Sequence, residues 1–317
     1  MKHAFSLILL VFIISGCFDE DKRIETLPFN GRIEKSIYTH HLFYNLDSAK
    51  VVASFTIDTF DLAFDCEPNG WRIFVNSGKK LVSARTGLTN ISELTDRPSN
   101  TIFGFDSPAI HDSTHIGFWP STPNEVFVIG RIEDGTIRLK YKFQMLQLDE
   151  HYYKFAFASF NGVETVDTAI VYKNNLKRRV LFSFSNPEKE LDIEPNKQTW
   201  DLLFSSYLDS LPYNNIKLEY EVRGILINKG VEVSVDSTRD YNEINKELIY
   251  TFNFSKKQDA IGWDWKYYSI SEGTYTILSY RTYIVKSMTG KFFKIKFVGF
   301  KNQHLDYGYP KFILEQL

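Results

Sequence analysis

The six residues Thr59-Phe60-Asp61-Leu62-Ala63-Phe64 return 140 positions later as Thr199-Trp200-Asp201-Leu202-Leu203-Phe204. Tyr152-Tyr153-Lys154-Phe155-Ala156-Phe157-Ala158-Ser159-Phe160 returns with the same shift as Phe292-Phe293-Lys294-Ile295-Lys296-Phe297-Val298-Gly299-Phe300. Between them, Arg72-Ile73-Phe74-Val75-Asn76-Ser77-Gly78 matches Gly224-Ile225-Leu226-Ile227-Asn228-Lys229-Gly230 loosely. Here the shift is 152 at Asn76 and Asn228, so the second half gains about twelve residues and later loses them. Three motifs in one order imply that one structural unit is built twice. Copy one runs from about Tyr38 to Tyr172 and copy two from about Val180 to Leu317. The polar join Lys173–Arg179 is short, so the units touch. The expected domains are 37–175 and 176–317.

Within each unit the pattern is β. Tyr153-Lys154-Phe155-Ala156-Phe157 and Phe293-Lys294-Ile295-Lys296-Phe297 alternate with period two, the mark of strands with one buried face. Asn76-Ser77-Gly78 and Asn228-Lys229-Gly230 sit between apolar runs and read as hairpin turns, as do Asp134-Gly135 and Thr289-Gly290. Short helical turns are expected near Ile91–Leu94. Beyond the N-terminus no apolar stripe of helical period lasts a dozen residues. An aromatic content of 16%, with 27 Phe and 18 Tyr, suits pleated half-buried surfaces. The fold class is all-β, two antiparallel sandwich-like units in tandem.

The N-terminus is of another kind. Lys2 precedes the apolar run Leu7–Ile14, which ends in Ser15-Gly16-Cys17. The run is shorter than the roughly 20 residues a membrane-spanning helix needs. A positive start, a short apolar core and small residues at its end describe an export signal. The cysteine directly after Ser-Gly resembles that of bacterial lipoproteins, which implies a signal peptide over 1–16. Cleavage before Cys17 and acylation there, with chains such as palmitate, would leave residues 17–36 as a lipidated tether. The alternative is an ordinary secretory peptide with an incidental Cys17. The acidic leader Phe18-Asp19-Glu20-Asp21-Lys22 resembles the outer-surface display signal of Bacteroidetes. The expected location is the outer membrane, lipid-anchored and facing the exterior, with contact to the membrane through the lipid alone.

Several function classes fall away. Net charge is -2 and no basic stripe exists, which argues against nucleic acid. With Cys17 acylated, Cys66 stands alone, so no intramolecular disulfide forms and paired-cysteine zinc sites are excluded. Asp65-Cys66-Glu67 is acidic, which raises a thiol pKa, so Cys66 is expected to be buried and inert. No nucleophile elbow, phosphate loop or metalloprotease helix motif is present, and the expectation is a protein that is not an enzyme. Asp61 and Asp201 recur in the repeat, which favours a structural job such as bonding to backbone amides.

In the second unit, Phe182-Ser183-Phe184, Trp200-Asp201-Leu202-Leu203-Phe204, Ile227-Asn228-Lys229-Gly230, Gly290–Phe297 and Gly308-Tyr309-Pro310-Lys311-Phe312 follow in order. This order resembles the HmuY-like lipoproteins of Bacteroidetes, β-rich haem-binding proteins of the outer membrane. The first unit echoes it in Tyr44-Asn45-Leu46, Phe60–Phe64 and Val75–Gly78, with Phe60 where Trp is expected and no closing Gly-Tyr-Pro. The resemblance implies haem as cofactor and a role in iron acquisition. Haem or a haemoprotein, and an outer-membrane haem receptor, would be the partners. The competing reading is a non-catalytic surface module that binds glycan or protein and has lost haem.

Haem iron takes His, Met, Cys or Tyr as axial ligand. The most suggestive cluster is His111-Asp112-Ser113-Thr114-His115, in a loop rich in Pro, Gly and aromatics, with Phe105, Phe118 and Trp119 as candidate walls. His111, His115, Phe118 and Trp119 are the candidate haem-binding residues. Histidines four apart share one face of a helical turn, so His111 and His115 clamp one Zn²⁺ or Cu²⁺ more readily than they sandwich a haem. One of them would ligate haem with a partner from another loop. His40 and His41 are expected to precede the first strand and lie exposed, and His151 to be solvated in a turn. Met288 and His304 are weaker candidates. The corresponding stretch of the second unit, Ile261–Tyr268, has no His or Met, but Trp263, Trp265, Tyr267 and Tyr268 offer rings for stacking or for the core.

Overall fold

The structure, a computed structural model, describes residues 28–108, 112–160, 165–189, 191–213, 216–269 and 271–317. The export signal, Cys17 and His111 lie outside the described residues. Those described form nineteen strands and six short 3-10 turns, and every strand pairing is antiparallel. None of their helices is long and apolar enough to cross a membrane. The all-β reading holds.

Two sandwiches share the chain. In the first, a five-stranded sheet runs in the order Asp167–Tyr172, Tyr152–Ser159, Thr136–Leu148, Val126–Glu133, Leu81–Arg85. It packs on a three-stranded sheet of Arg179–Phe182, Leu62–Asp65 and Ile73–Val75. Phe64, Phe127, Phe143 and Phe155 fill the core between them. In the second, a five-stranded sheet runs Phe29–Arg32, Tyr307–Gln316, Phe292–Lys301, Thr282–Lys286, Glu232–Asp236. It packs on a four-stranded sheet of Ile216–Ile227, Leu202–Tyr213, His40–Asn45 and Lys50–Thr56. Tyr44, Phe204, Tyr283 and Phe312 fill that core. A hairpin of Lys266–Ser269 and Thr274–Ile277 forms its own two-stranded sheet and packs Tyr275 and Ile277 on that core.

The chain crosses between sandwiches in a way no local pattern announces. His40–Asn45 pairs with Leu202–Phe204, so the first long strand completes the second sandwich. Phe29–Arg32 does the same on the edge of Tyr307–Gln316. Arg179–Phe182 returns to pair with Leu62–Asp65 in the first sandwich. Residues 175 and 176 fall in the turn between two strands of that first sandwich.

The recurring aspartates and asparagines hold these crossings. Asp61 N–H donates to Phe182 O at 2.8 Å, and Asp201 N–H to Tyr44 O at 2.8 Å. The Asp61 carboxylate accepts Phe184 N–H at 2.8 Å, and that of Asp201 accepts Leu46 N–H at 2.7 Å and Met288 N–H at 2.8 Å. Asn76 Nδ2 donates to Ile57 O and Phe60 O at 2.8 and 2.9 Å; Asn228 Nδ2 donates to Lys197 O and Trp200 O at the same distances. The aspartates do bond to backbone amides, as their recurrence suggested.

Three local expectations need correction. The turns at Asn76 and Asn228 are not hairpins, because each joins strands of different sheets. The asparagine amide holds carbonyls of the preceding segment and sends the chain across the sandwich. Asp134-Gly135 and Thr289-Gly290 do close hairpins, with Asp134, Gly135 and Gly290 all at positive φ. Secondly, Tyr152–Ser159 is the fourth strand counted from Leu81–Arg85, whereas Phe292–Lys301 is the third counted from Glu232–Asp236. By position Phe292–Lys301 matches Thr136–Leu148. The buried Lys142 bonds Leu94 O at 2.8 Å, and the buried Lys294 bonds Tyr241 O and Ile244 O at 3.1 and 3.0 Å. Period-two strands resemble one another in sequence, which explains the misalignment. Thirdly, His40 and His41 lie within a strand, and His41 is 8% exposed.

Candidate functional site

The loop leaving Leu81–Arg85 carries the histidines expected to bind. Its base is closed by the ion pair of Arg85 with Glu125, whose carboxylate also accepts Gly87 N–H at 3.1 Å. Further out, Asp106 accepts Val75 N–H and His115 N–H, each at 2.7 Å, and so ties the loop to strand Ile73–Val75. Burial pushes the Asp106 carboxyl up to about 6, against the pull of these two amides. At Asp112 the carbonyl accepts Arg72 Nε at 3.0 Å, and the carboxylate pairs with Lys229 Nζ at 3.0 Å. Burial raises Asp112, but Lys229, Arg72 and Arg178 outweigh it and hold the carboxyl below its usual value. Lys229 belongs to the turn after Ile216–Ile227, so this loop of the first sandwich is docked on the second.

The expected site residues are placed unevenly. His115 is half-buried, its imidazole lying against Gly104, where a Cβ would collide with the ring. Its Nε2 is 3.3 Å from Ile102 O. Phe118 is 53% exposed and stands edge-on to Trp71, ring centroids 4.8 Å apart, while the Arg72 guanidinium lies 4.9 Å from the Trp71 ring. Trp119 is 6% exposed, belongs to the first core, and donates its Nε1–H to Trp71 O at 2.6 Å. The described part of the loop thus carries one imidazole, His115, and separately sets the exposed Phe118 against the partly buried Trp71, with Trp119 as the buried anchor beneath. Trp71 was not singled out in the sequence; its only signal was its place beside the Asn76 motif. Among the described residues no three His, Cys, Asp or Glu side chains come together to hold a metal ion.

The His115 imidazole can supply one axial ligand to a haem, provided that it gives up its contact with Ile102 O. The described part of the loop supplies no second axial ligand. Met145 is in the first core, and Met288 packs on the second. His304 is exposed in its turn, and His151 is exposed beside Glu150. In the second half, Trp265 is fully buried and stacked on Phe297, and Trp263 donates to Asp209 at 3.3 Å. Tyr267 is 62% exposed and Tyr268 also faces outward. Cys66 is buried, and burial, reinforced by Glu194 and Asp65, raises its thiol to about 11, out of reach of nucleophilic chemistry.

The fold is an antiparallel double sandwich with an aromatic-bearing loop docked across it. The HmuY protein family model matches residues 37–313, as one span through both sandwiches. The chain belongs to the HmuY family. No curated protein matches it. Among solved structures it is similar to apo PinO from Porphyromonas gingivitis, at 9% identity over 92% of this chain and 98% of that one, TM-score 0.36. It is also similar to the apo HmuY analog of Tannerella forsythia, at 12% identity over 92% and 96%, TM-score 0.26. A third, described as HmuY-like and heme binding, from Bacteroides vulgatus, shares 12% identity over 56% and 91%, TM-score 0.20.

Proposed function

We propose that this protein is a haem-binding lipoprotein of the outer membrane that carries haem to a receptor for iron acquisition. The observation that carries this reading is the family match over residues 37–313. The loop at 105–119 is its site: His115, or His111 outside the described residues, ligates the iron, and Phe118 with Trp71 flanks the ring. Trp119 holds that pair in place from below. Acylation at Cys17 ties the chain to the membrane, and residues 17–36 serve as tether. The recurring Asp and Asn contacts support two diverged copies, close to 37–175 and 176–317, that exchange their leading strands.

Haemin titration of the soluble chain lacking residues 1–17, followed by absorbance, tests the reading. A saturable one-to-one shift is expected, weakened at least tenfold by His115→Ala or His111→Ala. A shift that neither substitution changes would move the site out of this loop. Absence of a saturable shift would reject haem binding.

The exposed Tyr267 and Tyr268, on a hairpin outside both large sheets, favour a second reading. There the protein is a non-catalytic surface module that stacks these rings on glycan or on a protein partner.

A further inference from the structure

The two small sheets turn their outer faces toward each other. Strand alternation sends Leu42 and Tyr44 into the second core and His41 and Phe43 away from it. It likewise sends Leu62 and Phe64 into the first core and Ala63 away. Between these faces lies a cavity of about 110 Å³, walled by Phe43, Phe55, Phe60, Phe74 and Trp200 together with His41. The rings brace one another: Phe43 meets Trp200 edge-on at 4.9 Å, and His41 lies 5.4 Å from Phe55 and 5.5 Å from Phe60. The lining also reaches the half-buried Ser77 and Gly78, so core residues alone do not seal it.

Three side chains of this lining carry buried polar atoms without a hydrogen-bond partner: His41 Nε2, Trp200 Nε1 and Tyr207 OH. A buried polar atom without a partner is costly, and native interiors leave few of them. All three residues belong to the lining of the one cavity.

The hydrogen bonds set the tautomer of His41. Ser205 Oγ lies 2.9 Å from Ser206 O, a carbonyl that can only accept, so the single hydroxyl proton goes there. Ser205 Oγ must then accept from His41 Nδ1, 2.7 Å away. A neutral imidazole with its proton on Nδ1 leaves a bare lone pair on Nε2. Trp200 Nε1 can only donate, and the Tyr207 hydroxyl does either.

We propose that this cavity binds a small neutral hydroxy-aromatic molecule of the phenol class. Its hydroxyl donates to His41 Nε2 and accepts from Trp200 or Tyr207, while its ring packs among the phenylalanines. The cavity is smaller than an engineered one of roughly 150 Å³ that takes benzene, so it holds no more than one ring, with part of that ring in the opening at Ser77 and Gly78. Haem is far too large, so this site is independent of the haem reading. Water is the competing occupant. Each water needs roughly two to four polar partners, and aromatic walls with three unpaired atoms serve several waters poorly.

The test is a titration of the ¹⁵N-labelled chain lacking residues 1–17 with phenol and, separately, with benzene. The indole signal of Trp200, assigned by its loss in Trp200→Phe, is expected to move saturably with phenol. Phenol is expected to bind about tenfold tighter than benzene. His41→Phe should remove that preference and leave benzene binding in place. Equal affinities for the two probes in the unsubstituted chain would overturn the proposal. So would an indole signal that phenol leaves unmoved up to its solubility limit. The comparison of phenol with benzene in the unsubstituted chain stands even if a variant fails to fold.

Discussion

His41 shows how far one residue can depart from its neighbour. His40 is half-buried and bonds Thr39 Oγ1 through Nδ1 at 2.9 Å. One position on, the pleat turns His41 inward, where burial, with a smaller push from His40, lowers its pKa to about 3. In the unfolded chain the value is about 6.5. Between these limits the unfolded state binds a proton that the folded state refuses. Its contribution to stability is therefore intact above pH about 6.5 and lost as pH falls toward 3, at up to roughly 1.4 kcal/mol per pH unit. His41→Gln, neutral throughout, should lose about 2 kcal/mol less than the unsubstituted chain between pH 6.5 and 5. Urea midpoints measured across that range decide it; parallel slopes would show that His41 does not titrate on unfolding.

At the scale of elements, the Asp201 carboxylate is the joint between three pieces of chain. It faces its own strand start, takes Leu46 N–H at the end of His40–Asn45, and takes Met288 N–H in the turn before Phe292–Lys301. Its raised pKa reflects burial that these two amides only partly offset. Asp201→Ala strands the buried Leu46 N–H and the part-buried Met288 N–H; with about 1–3 kcal/mol for a buried donor and less for the other, a loss of about 2–4 kcal/mol is expected in urea unfolding. Asp201→Asn keeps one acceptor oxygen and should lose about half as much. Asp61 does the same for Phe184 and adds an ion pair with Lys79 at 2.6 Å. The aspartates were legible as structural because they recur. Their partners were not, since Leu46 lies 155 residues from Asp201 and Phe184 lies 123 from Asp61.

For the molecule as a whole, the exchanged strands make the two sandwiches depend on each other. A chain of 176–317 lacks Phe29–Arg32 and His40–Asn45, which leaves Tyr307–Gln316 and Leu202–Tyr213 with bare edges. By itself it should show a collapsed, poorly dispersed NMR spectrum, and mixing with 28–175 should restore dispersion. A well-dispersed spectrum from 176–317 alone would mean that each half folds without its neighbour's strands. The loop at 105–119 belongs to the same scale, because its Asp112 reaches Lys229 of the second sandwich. A ligand there would feel both halves.

The sequence by itself determined the all-β class, the turns at Asp134-Gly135 and Thr289-Gly290 and the structural aspartates. Each follows from local chemistry: period-two alternation, positive φ at a tight turn, or a motif repeated in place. Cys66 is raised chiefly by burial, which belongs to the tertiary structure. Only the tertiary structure decided which strands pair, that Trp119 lies inside while Phe118 lies outside, and that His41 faces an aromatic cavity. Strand alternation specifies two faces but not which face meets which core. The partner is set by contacts more than a hundred residues away, as with Leu202 against Tyr44, and these contacts leave no trace in a local pattern.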